Sequence, residues 1–177
     1  VSYSGEFNQF ENITVIPRPI QRPLPIWVTA NPSPDFPKLR ASALKRVARL
    51  GDGWMTTANT VESLKENLAD ILRSADEIGR ELPENFEVCL YYNIRVGSDR
   101  EETIEKSAEY LRAYYGVDYA RDFLERWVAM GDPSRCVDEI GKFIDAGATT
   151  VTLRLVGHDE EEQFDRVTND VLSAFSS

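Results

Sequence analysis

One arginine on an apolar strand is the residue whose chemistry is hardest to explain by packing. Arg154 lies in the sequence Val-Thr-Leu-Arg-Leu, between Leu153 and Leu155 and shortly before Gly157. A buried guanidinium is costly unless an anion meets it, and a substrate carboxylate or phosphate would serve. A structural salt bridge to an acidic side chain of a neighbouring strand would serve equally well, so both interpretations stay open.

Alternating polar side chains in another predicted strand form a second candidate group. Tyr91, Asn93 and Arg95 alternate with apolar residues, so the three share one face. A polar face suits ligand contact, although an internal hydrogen-bonded network would have the same pattern. Trp54 ends a further predicted strand and could form the wall of a pocket for an aromatic ligand, or pack in the core.

Short polar side chains follow the first predicted core strand. Thr29, Asn31 and Ser33 could donate hydrogen bonds to a phosphate. Asn31 and Ser33 could equally cap the helix that follows. The helix start at Asp132–Pro133 could accept an anion at its dipole, but an ordinary cap is the favoured interpretation.

The chain lacks the residues that common metal and triad sites need. Its single histidine, His158, and two distant cysteines cannot form a zinc or haem site of the common kinds. His158 stands in Gly-His-Asp before an acidic helix start, which favours a cap or loop role. Neither Gly-x-Gly-x-x-Gly nor a Walker loop occurs. Any chemistry is therefore expected to come from a bound organic cofactor.

The candidate residues are positioned by a predicted parallel sheet. From Pro25 to Trp54 the chain has the pattern strand, loop, helix, strand, a short crossover that joins parallel strands. Further strands are predicted at Phe86–Val96 and Thr149–Val156. Helices are predicted at Val61–Leu82, Arg100–Tyr115, Tyr119–Met130, Pro133 to Gly147, and Glu161–Phe175. About four βα units thus form a single domain covering residues 1–177, with a hairpin and a proline-rich lead-in over 1–24.

The helix of the first crossover has a predicted buried face and a predicted end. Leu39, Ala43, Val47 and Leu50 recur at three- and four-residue steps, the period of an amphipathic helix. Gly51 follows where a C-cap glycine is expected.

Composition excludes several classes of partner. Thirty acidic and 20 basic residues among 177 give a net charge of −10, which repels nucleic acid and anionic lipid. No stretch approaches the roughly 20 apolar residues of a membrane span, and the start shows no signal-peptide pattern. Cys89 and Cys136 fit buried thiols in a reducing cytoplasm, the predicted location. The acidic run Asp159–Glu162 is expected to be a solvated helix start.

Several short motifs occur together in the order and spacing of a known family. They are Ser4–Phe7, Pro17-x-Pro19-x-Gln21 before Pro25–Val28, Ala48–Trp54, Gly131–Pro133, Asp145–Ala148, and Val151–Arg154 before Gly157. Their combination resembles the C-terminal half of luciferase-like monooxygenases, TIM-barrel enzymes that use FMN or a deazaflavin. The resemblance covers nearly the whole chain. It implies an oxidoreductase or monooxygenase whose reduced cofactor does the redox chemistry on a small-molecule substrate.

The resemblance assigns two groups of ligand-binding residues, because barrel sites lie at the carboxyl ends of the strands. The expected cofactor-binding side chains, which stand where the family often has glycines, are Thr29, Asn31 and Ser33. The expected substrate-binding side chains are Trp54, Tyr91, Asn93 and Arg154. No catalytic residue and no metal ligand is assigned.

Four strands are half of the eight that a TIM barrel needs, and a complete barrel takes roughly 250 residues. They leave two sheet edges and an open apolar side. One explanation is that an N-terminal half is missing, in which case the chain alone should bind the cofactor weakly. The other is a non-catalytic half barrel that acts as an oligomerising or partner-binding module, for example as a C₂ dimer.

Overall fold

Five strands form one parallel sheet. The computed structural model describes residues 1–57 and 60–175. The sheet strands are β3 (Trp27–Thr29), β4 (Gly53–Thr56), β5 (Glu87–Val96), β6 (Val128–Gly131) and β7 (Thr150–Leu155). Before them, β1 (Tyr3–Ser4) and β2 (Gln9–Phe10) form a short antiparallel hairpin, as the sequence predicted.

Helices alternate with the strands along the chain. They are α1 (Pro37–Leu50), α2 (Val61–Glu77), α3 (Arg100–Tyr115), α4 (Arg121–Trp127), α5 (Pro133–Asp145) and α6 (Glu160–Arg166). After α6 the chain continues in a π-helical turn, Val167–Val171, and a 3₁₀ turn, Leu172–Phe175. The repeated strand–helix order and the parallel sheet confirm the predicted α/β class, with the strands and helices of half a TIM barrel.

The long strand β5 holds three other strands together. Its first residues pair with β4, and Cys89–Ile94 pair with β7 on the opposite edge. Its last four residues, Asn93–Val96, pair with β6. Since Asn93 and Ile94 pair with both β6 and β7, those two strands lie on opposite edges, and β6 continues the edge that β4 occupies.

One face of the sheet is covered by helices and the other is open. Successive side chains point to opposite faces, and the covered face contributes Trp54, Leu90 and Tyr92 to the main core. The open face carries the alternate residues, among them Trp27, Thr29, Met55, Tyr91, Asn93, Arg95, Thr152 and Arg154. Trp27 is 38% exposed there. An uncovered face of this kind is what half of a barrel leaves.

The predicted helix Tyr119–Met130 is wrong over its last residues. The helix α4 ends at Trp127, and Val128–Gly131 form the fully buried strand β6. The end of β5 offers free backbone groups to Val128–Gly131, so tertiary pairing overrides the local helical preference. The predicted helix Arg100–Tyr115 is confirmed, with the Asp99 side chain accepting from Glu102 N at 3.0 Å.

Other helices also differ from their predictions in extent or in buried face. The predicted helix Glu161–Phe175 is α-helical only as far as Arg166 and continues in the π-helical and 3₁₀ turns. The helix α2 ends at Glu77 rather than Leu82, because Gly79 takes a left-handed conformation with φ +65°. In α1 the predicted face is partly wrong: Leu39 and Leu50 are exposed, and the buried stripe is Leu44, Val47 and Ala48. Gly51 does end α1, but in an extended conformation, φ −88°.

The deeply buried arginine of the sheet is Arg95. It is 5% exposed, and its Nη1 and Nη2 donate to the two carboxylate oxygens of Asp159 at 2.8 and 2.9 Å. Nη1 also donates to the Val156 carbonyl at 2.8 Å. Gln163 exchanges two further hydrogen bonds with the backbone of Val96. The network fixes α6 to the end of β5. For Arg95, this is the internal hydrogen-bonded network that the sequence analysis gave as one interpretation of the polar face.

Replacing Asp159 with Asn should lower the free energy of unfolding by about 2–3 kcal/mol at pH 7, because Arg95 then stays buried without a carboxylate. The Arg95 guanidinium holds the pKa of Asp159 below its usual value. The stabilisation is therefore present above about pH 4, the range of an unfolded Asp, and is lost as the pH falls through the lower folded pKa.

Urea unfolding of both proteins from pH 7 downwards measures the difference. Asp165→Asn, an exposed carboxylate on the same helix, is the matched control and should change little. Equal unfolding midpoints for wild type and Asp159→Asn at pH 7 would contradict the structural role of the pair.

Candidate active site

The carboxyl ends of the strands lie under a second, smaller apolar cluster. It joins α3, α4 and β6 to the residue that follows β7, through Ile104, Leu111, Leu124, Trp127, Val128, Met130 and Val156. This group covers the upper part of the otherwise open sheet face, so Asn93 is fully buried whereas Trp27 is not. In TIM barrels the ligand sites are built at this end of the strands.

A chain of hydrogen bonds links the loops after β3 and β4 to the end of α4 and to the strand β5. Asn31 Oδ1 accepts from Thr57 N at 2.8 Å and from Thr56 Oγ1 at 3.2 Å. Thr57 Oγ1 accepts from Trp127 Nε1 at 2.9 Å, and the Trp127 carbonyl accepts from Asn93 Nδ2 at 3.2 Å. Trp127 therefore ties the loops after β3 and β4 to the strand β5.

Trp127 is also the centre of an aromatic wall. Its ring centroid lies 5.6 Å from Tyr115, 5.2 Å from Tyr119 and 5.3 Å from Phe123. Tyr110 and Tyr114 extend the same wall along α3, with ring centroids 6.4 Å apart. His158 lies at the edge of this wall, with its ring centroid 5.2 Å from that of Tyr110, in keeping with its predicted loop position.

Arg154 lies against the aromatic wall. Its Nη1 donates to the Tyr115 hydroxyl at 2.8 Å, and its Cζ lies 4.2 Å from the Tyr114 ring centroid. Burial opposes its charge, but the hydroxyls of Tyr110 and Tyr115 outweigh that effect and raise the pKa of Arg154. The structural salt bridge that the sequence left open as the alternative is not found: within residues 1–57 and 60–175, no acidic side chain pairs with Arg154.

Asn93 carries a buried acceptor that the described part of the chain does not satisfy. Its Nδ2 reaches the Trp127 carbonyl, whereas Oδ1 has no hydrogen-bond partner. Such an atom typically costs about 1–3 kcal/mol, so its retention indicates a partner outside these residues. Asn93 stands directly opposite Arg154 in the pairing of β5 with β7.

The loop after β3 is not used to cap a helix. The helix α1 begins at Pro37, with Phe36 at the N-cap position and no side-chain cap, so the alternative in which Asn31 and Ser33 cap this helix is wrong. Ser33 Oγ instead bonds the side chain and backbone of Asp35. Asn31 uses its Oδ1 within the loop network, which leaves its Nδ2 amide as the donor group.

At the Asp132 helix start, by contrast, the ordinary cap is confirmed, since Asp132 Oδ1 accepts from Arg135 N.

The predicted site residues therefore divide between two places. Thr29, Tyr91, Asn93 and Arg154 lie on the open face, and Asn31 stands at its edge. Trp54 lies on the covered face, fully buried in the core, with Nε1 donating to the Ala30 carbonyl at 2.9 Å. That is the core position the sequence left as the alternative.

Sequence reasoning missed Trp127, Thr57 and the tyrosines of α3. A signal was present, because four of the seven tyrosines fall within residues 110–119. These tyrosines form a wall only together with Trp127, and the strand β6 turns Trp127 back towards β5. Because the residues of β6 were predicted as helix, this wall was missed.

A separate cavity lies at the opposite end of the strands. Its volume is about 640 Å³, and its lining includes Trp27, Asp52 and Glu87 at the amino ends of the sheet. Glu87 accepts from the hydroxyls of Thr149 and Thr150, both at 2.7 Å, and these bonds lower the pKa of Glu87. Because catalysis in TIM barrels occurs at the other end, this cavity is not part of the candidate site.

Comparison with known proteins assigns the family. A sequence model of the luciferase-like monooxygenases matches residues 1–174. The chain belongs to the luciferase-like monooxygenase family. The F420-dependent glucose-6-phosphate dehydrogenase of Amycolatopsis mediterranei (strain U-32) is 20% identical over an alignment of 191 residues. The alignment covers 97% of this chain and 55% of that protein. The luciferase-like chain thus spans about half the length of this relative.

Solved structures share the fold at low identity. The coenzyme F420 dependent tetrahydromethanopterin reductase from Methanopyrus kandleri superposes with a TM-score of 0.70 at 20% identity, over 99% of this chain and 58% of that one. An F420-dependent secondary alcohol dehydrogenase in complex with an F420-acetone adduct gives a TM-score of 0.75 at 16% identity, over 98% of this chain and 55% of that one. The monooxygenase RslO1 from Streptomyces bottropensis gives a TM-score of 0.70 at 20% identity, over 99% of this chain and 56% of that one.

In the described ranges, no helix is long and apolar enough to cross a membrane. No group of three or more His, Cys, Asp or Glu side chains is placed there to hold a metal ion. Cys89 and Cys136 are buried free thiols, as predicted, and burial raises the pKa of Cys136 to about 12.

Trp127→Phe should keep the aromatic wall but remove the indole donor to Thr57, which costs about 1 kcal/mol of stability. The loop after β4 should also exchange its amide hydrogens faster, because one of its anchors is gone. Hydrogen exchange followed by mass spectrometry measures the change. Trp27→Phe, at the exposed amino end of the sheet, is the matched control, and equal protection in both variants would contradict the anchoring role of Trp127.

Proposed function

We propose that this luciferase-like chain supplies half of the active site of an oxidoreductase or monooxygenase that uses FMN or a deazaflavin such as F420. The observation that carries the proposal is the Trp127 aromatic wall, tied by hydrogen bonds to the loops after β3 and β4 at the carboxyl ends of the strands. The relatives named above are described as F420-dependent enzymes and a monooxygenase, which supports the same class of chemistry.

The residues present fit a flavin-type ring. A planar aromatic ligand packs well on aromatic side chains, and Tyr115 and Tyr119 offer such a surface, with the buried Trp127 behind them. The unpaired Oδ1 of buried Asn93 is an acceptor for a ring N–H. When bound, the reduced cofactor supplies a hydride or activates oxygen.

Donors for a cofactor phosphate stand at the other side of the site. Thr29 offers a hydroxyl and Asn31 its Nδ2 amide, whereas Ser33 is engaged with Asp35. The chain's own contribution is thus to hold the cofactor at both ends and to keep water from the reacting face, with Tyr91 and Arg154 on the substrate side.

The class of cofactor is tested by titrating the chain with FMN and with F420 and following the absorbance and fluorescence of each ring. Binding of one of them is expected, with an affinity below that of a complete barrel, because the chain spans about half of its relatives. Reduced cofactor should then be oxidised by oxygen or an added substrate. No spectral change with either compound would contradict the proposal.

Asn31→Ala should weaken cofactor binding by about 1–3 kcal/mol, the usual cost of losing a hydrogen bond to a charged group. Ser33→Ala should weaken it less, because its hydroxyl already bonds Asp35. Asn85→Ala, at the amino ends of the strands, is the matched control. An unchanged dissociation constant for Asn31→Ala would place the phosphate elsewhere.

The open face of the sheet favours a second candidate function, a partner-binding half barrel. Leu24 and Trp27, which both line the cavity at the amino end of that face, are 51 and 38% exposed. A homodimer that joins two open faces would cover these two side chains.

Light scattering on the purified chain at several concentrations tests this second candidate. A dimer is expected if the open face is an interface between copies. A stable monomer that binds no dye specific for apolar surface would contradict it.

A further inference from the structure

We propose that Arg154 and the tyrosines of α3 form a subsite for the carboxylate of a planar substrate. Only the identification of the ligand as a substrate rests on the proposed function, since the anion site itself follows from the geometry around one guanidinium.

The charge of Arg154 is not compensated by its surroundings. Most other arginines of the described chain have an acidic partner, as Arg95 has Asp159 and Arg126 has Asp122. Arg154 instead faces ring surfaces and hydroxyl groups, at Tyr110, Tyr114 and Tyr115. Aromatic faces attract a cation but do not neutralise it, so the site keeps a full positive charge at the edge of an apolar wall.

The guanidinium is also held in a fixed orientation. The Tyr115 hydroxyl binds Nη1 at 2.8 Å, and the Tyr114 ring lies over the guanidinium with a distance of 4.2 Å to Cζ. An arginine fixed in this way can present its remaining N–H groups as a planar fork, the geometry that matches a carboxylate. The adjacent tyrosine rings can then pack against a flat group that carries the carboxylate.

The position in the sheet separates this anion from the cofactor phosphate. Arg154 is on β7, whereas Thr29 and Asn31 are on β3 and its loop, with β4 and β5 between them. Three strand spacings amount to about 14 Å. Asn93, which is opposite Arg154 in the pairing, stands on the intervening strand beside the proposed ring position. The anion at Arg154 therefore belongs to the second reactant.

Binding of benzoate and of its neutral isostere benzamide to the cofactor-free chain tests the subsite by ligand-observed NMR titration. Benzoate should bind measurably tighter than benzamide. Arg154→Gln should weaken benzoate by about ten- to a hundredfold, the effect of losing charge-assisted hydrogen bonds, and leave benzamide unchanged. Arg126→Gln, which also loses an arginine stacked on a ring but lies outside the subsite, should bind benzoate like wild type.

Tyr115→Phe keeps the charge and removes the hydroxyl that orients it, so benzoate should weaken severalfold even if Arg154→Gln fails to fold. Equal affinities for benzoate and benzamide, or unchanged benzoate binding in both variants, would overturn the proposal and make Arg154 a packing residue of the wall. Cofactor titrations are independent of these measurements, so a failure of the proposed function would be seen separately.

Discussion

The pairing of β5 with strands on both of its edges is the constraint on which the rest of the structure depends. β4 and β6 follow one another along one edge while β7 pairs along the other. This arrangement brings the end of α4 back to the sheet, and Trp127 with it. The strand β6 holds the aromatic wall over Asn93. Without this strand, the open face near the carboxyl ends of the strands would be as exposed as it is near their amino ends.

The two arginines on this face differ in how their charge is matched. Arg95 is deeply buried and fully matched by Asp159 and a carbonyl, as a structural cation must be. Arg154 is half-buried, and among the described residues its guanidinium is matched by a hydroxyl and aromatic rings. The first holds α6 to the sheet. The second retains an unused charge where barrel ligands bind, in line with perturbed, partly buried groups marking functional sites.

Much of the fold could be predicted because the hydrophobic periodicity and the positions of caps, glycines and prolines agree with the observed elements. The βα order, the hairpin and the helix Arg100–Tyr115 were all visible in the sequence. The strand β6 was not, because Val128–Met130 continue the helical pattern of α4 and become a strand only through long-range pairing. For the same reason the role of Trp127 was missed, whereas Asn93 and Arg154 could be singled out as polar residues on apolar strands. Which arginine pairs with an acid depends on α6 packing, which no local pattern encodes.

The three tryptophans allow a direct measurement of where the cofactor binds. Trp127 lies in the candidate site, Trp54 in the core and Trp27 at the opposite end of the sheet. Their indole N–H signals can be followed separately by NMR during titration with FMN or F420. The Trp127 signal should shift while those of Trp54 and Trp27 stay in place. A shift confined to Trp27, or none with either compound, would contradict an active site at the carboxyl ends of the strands.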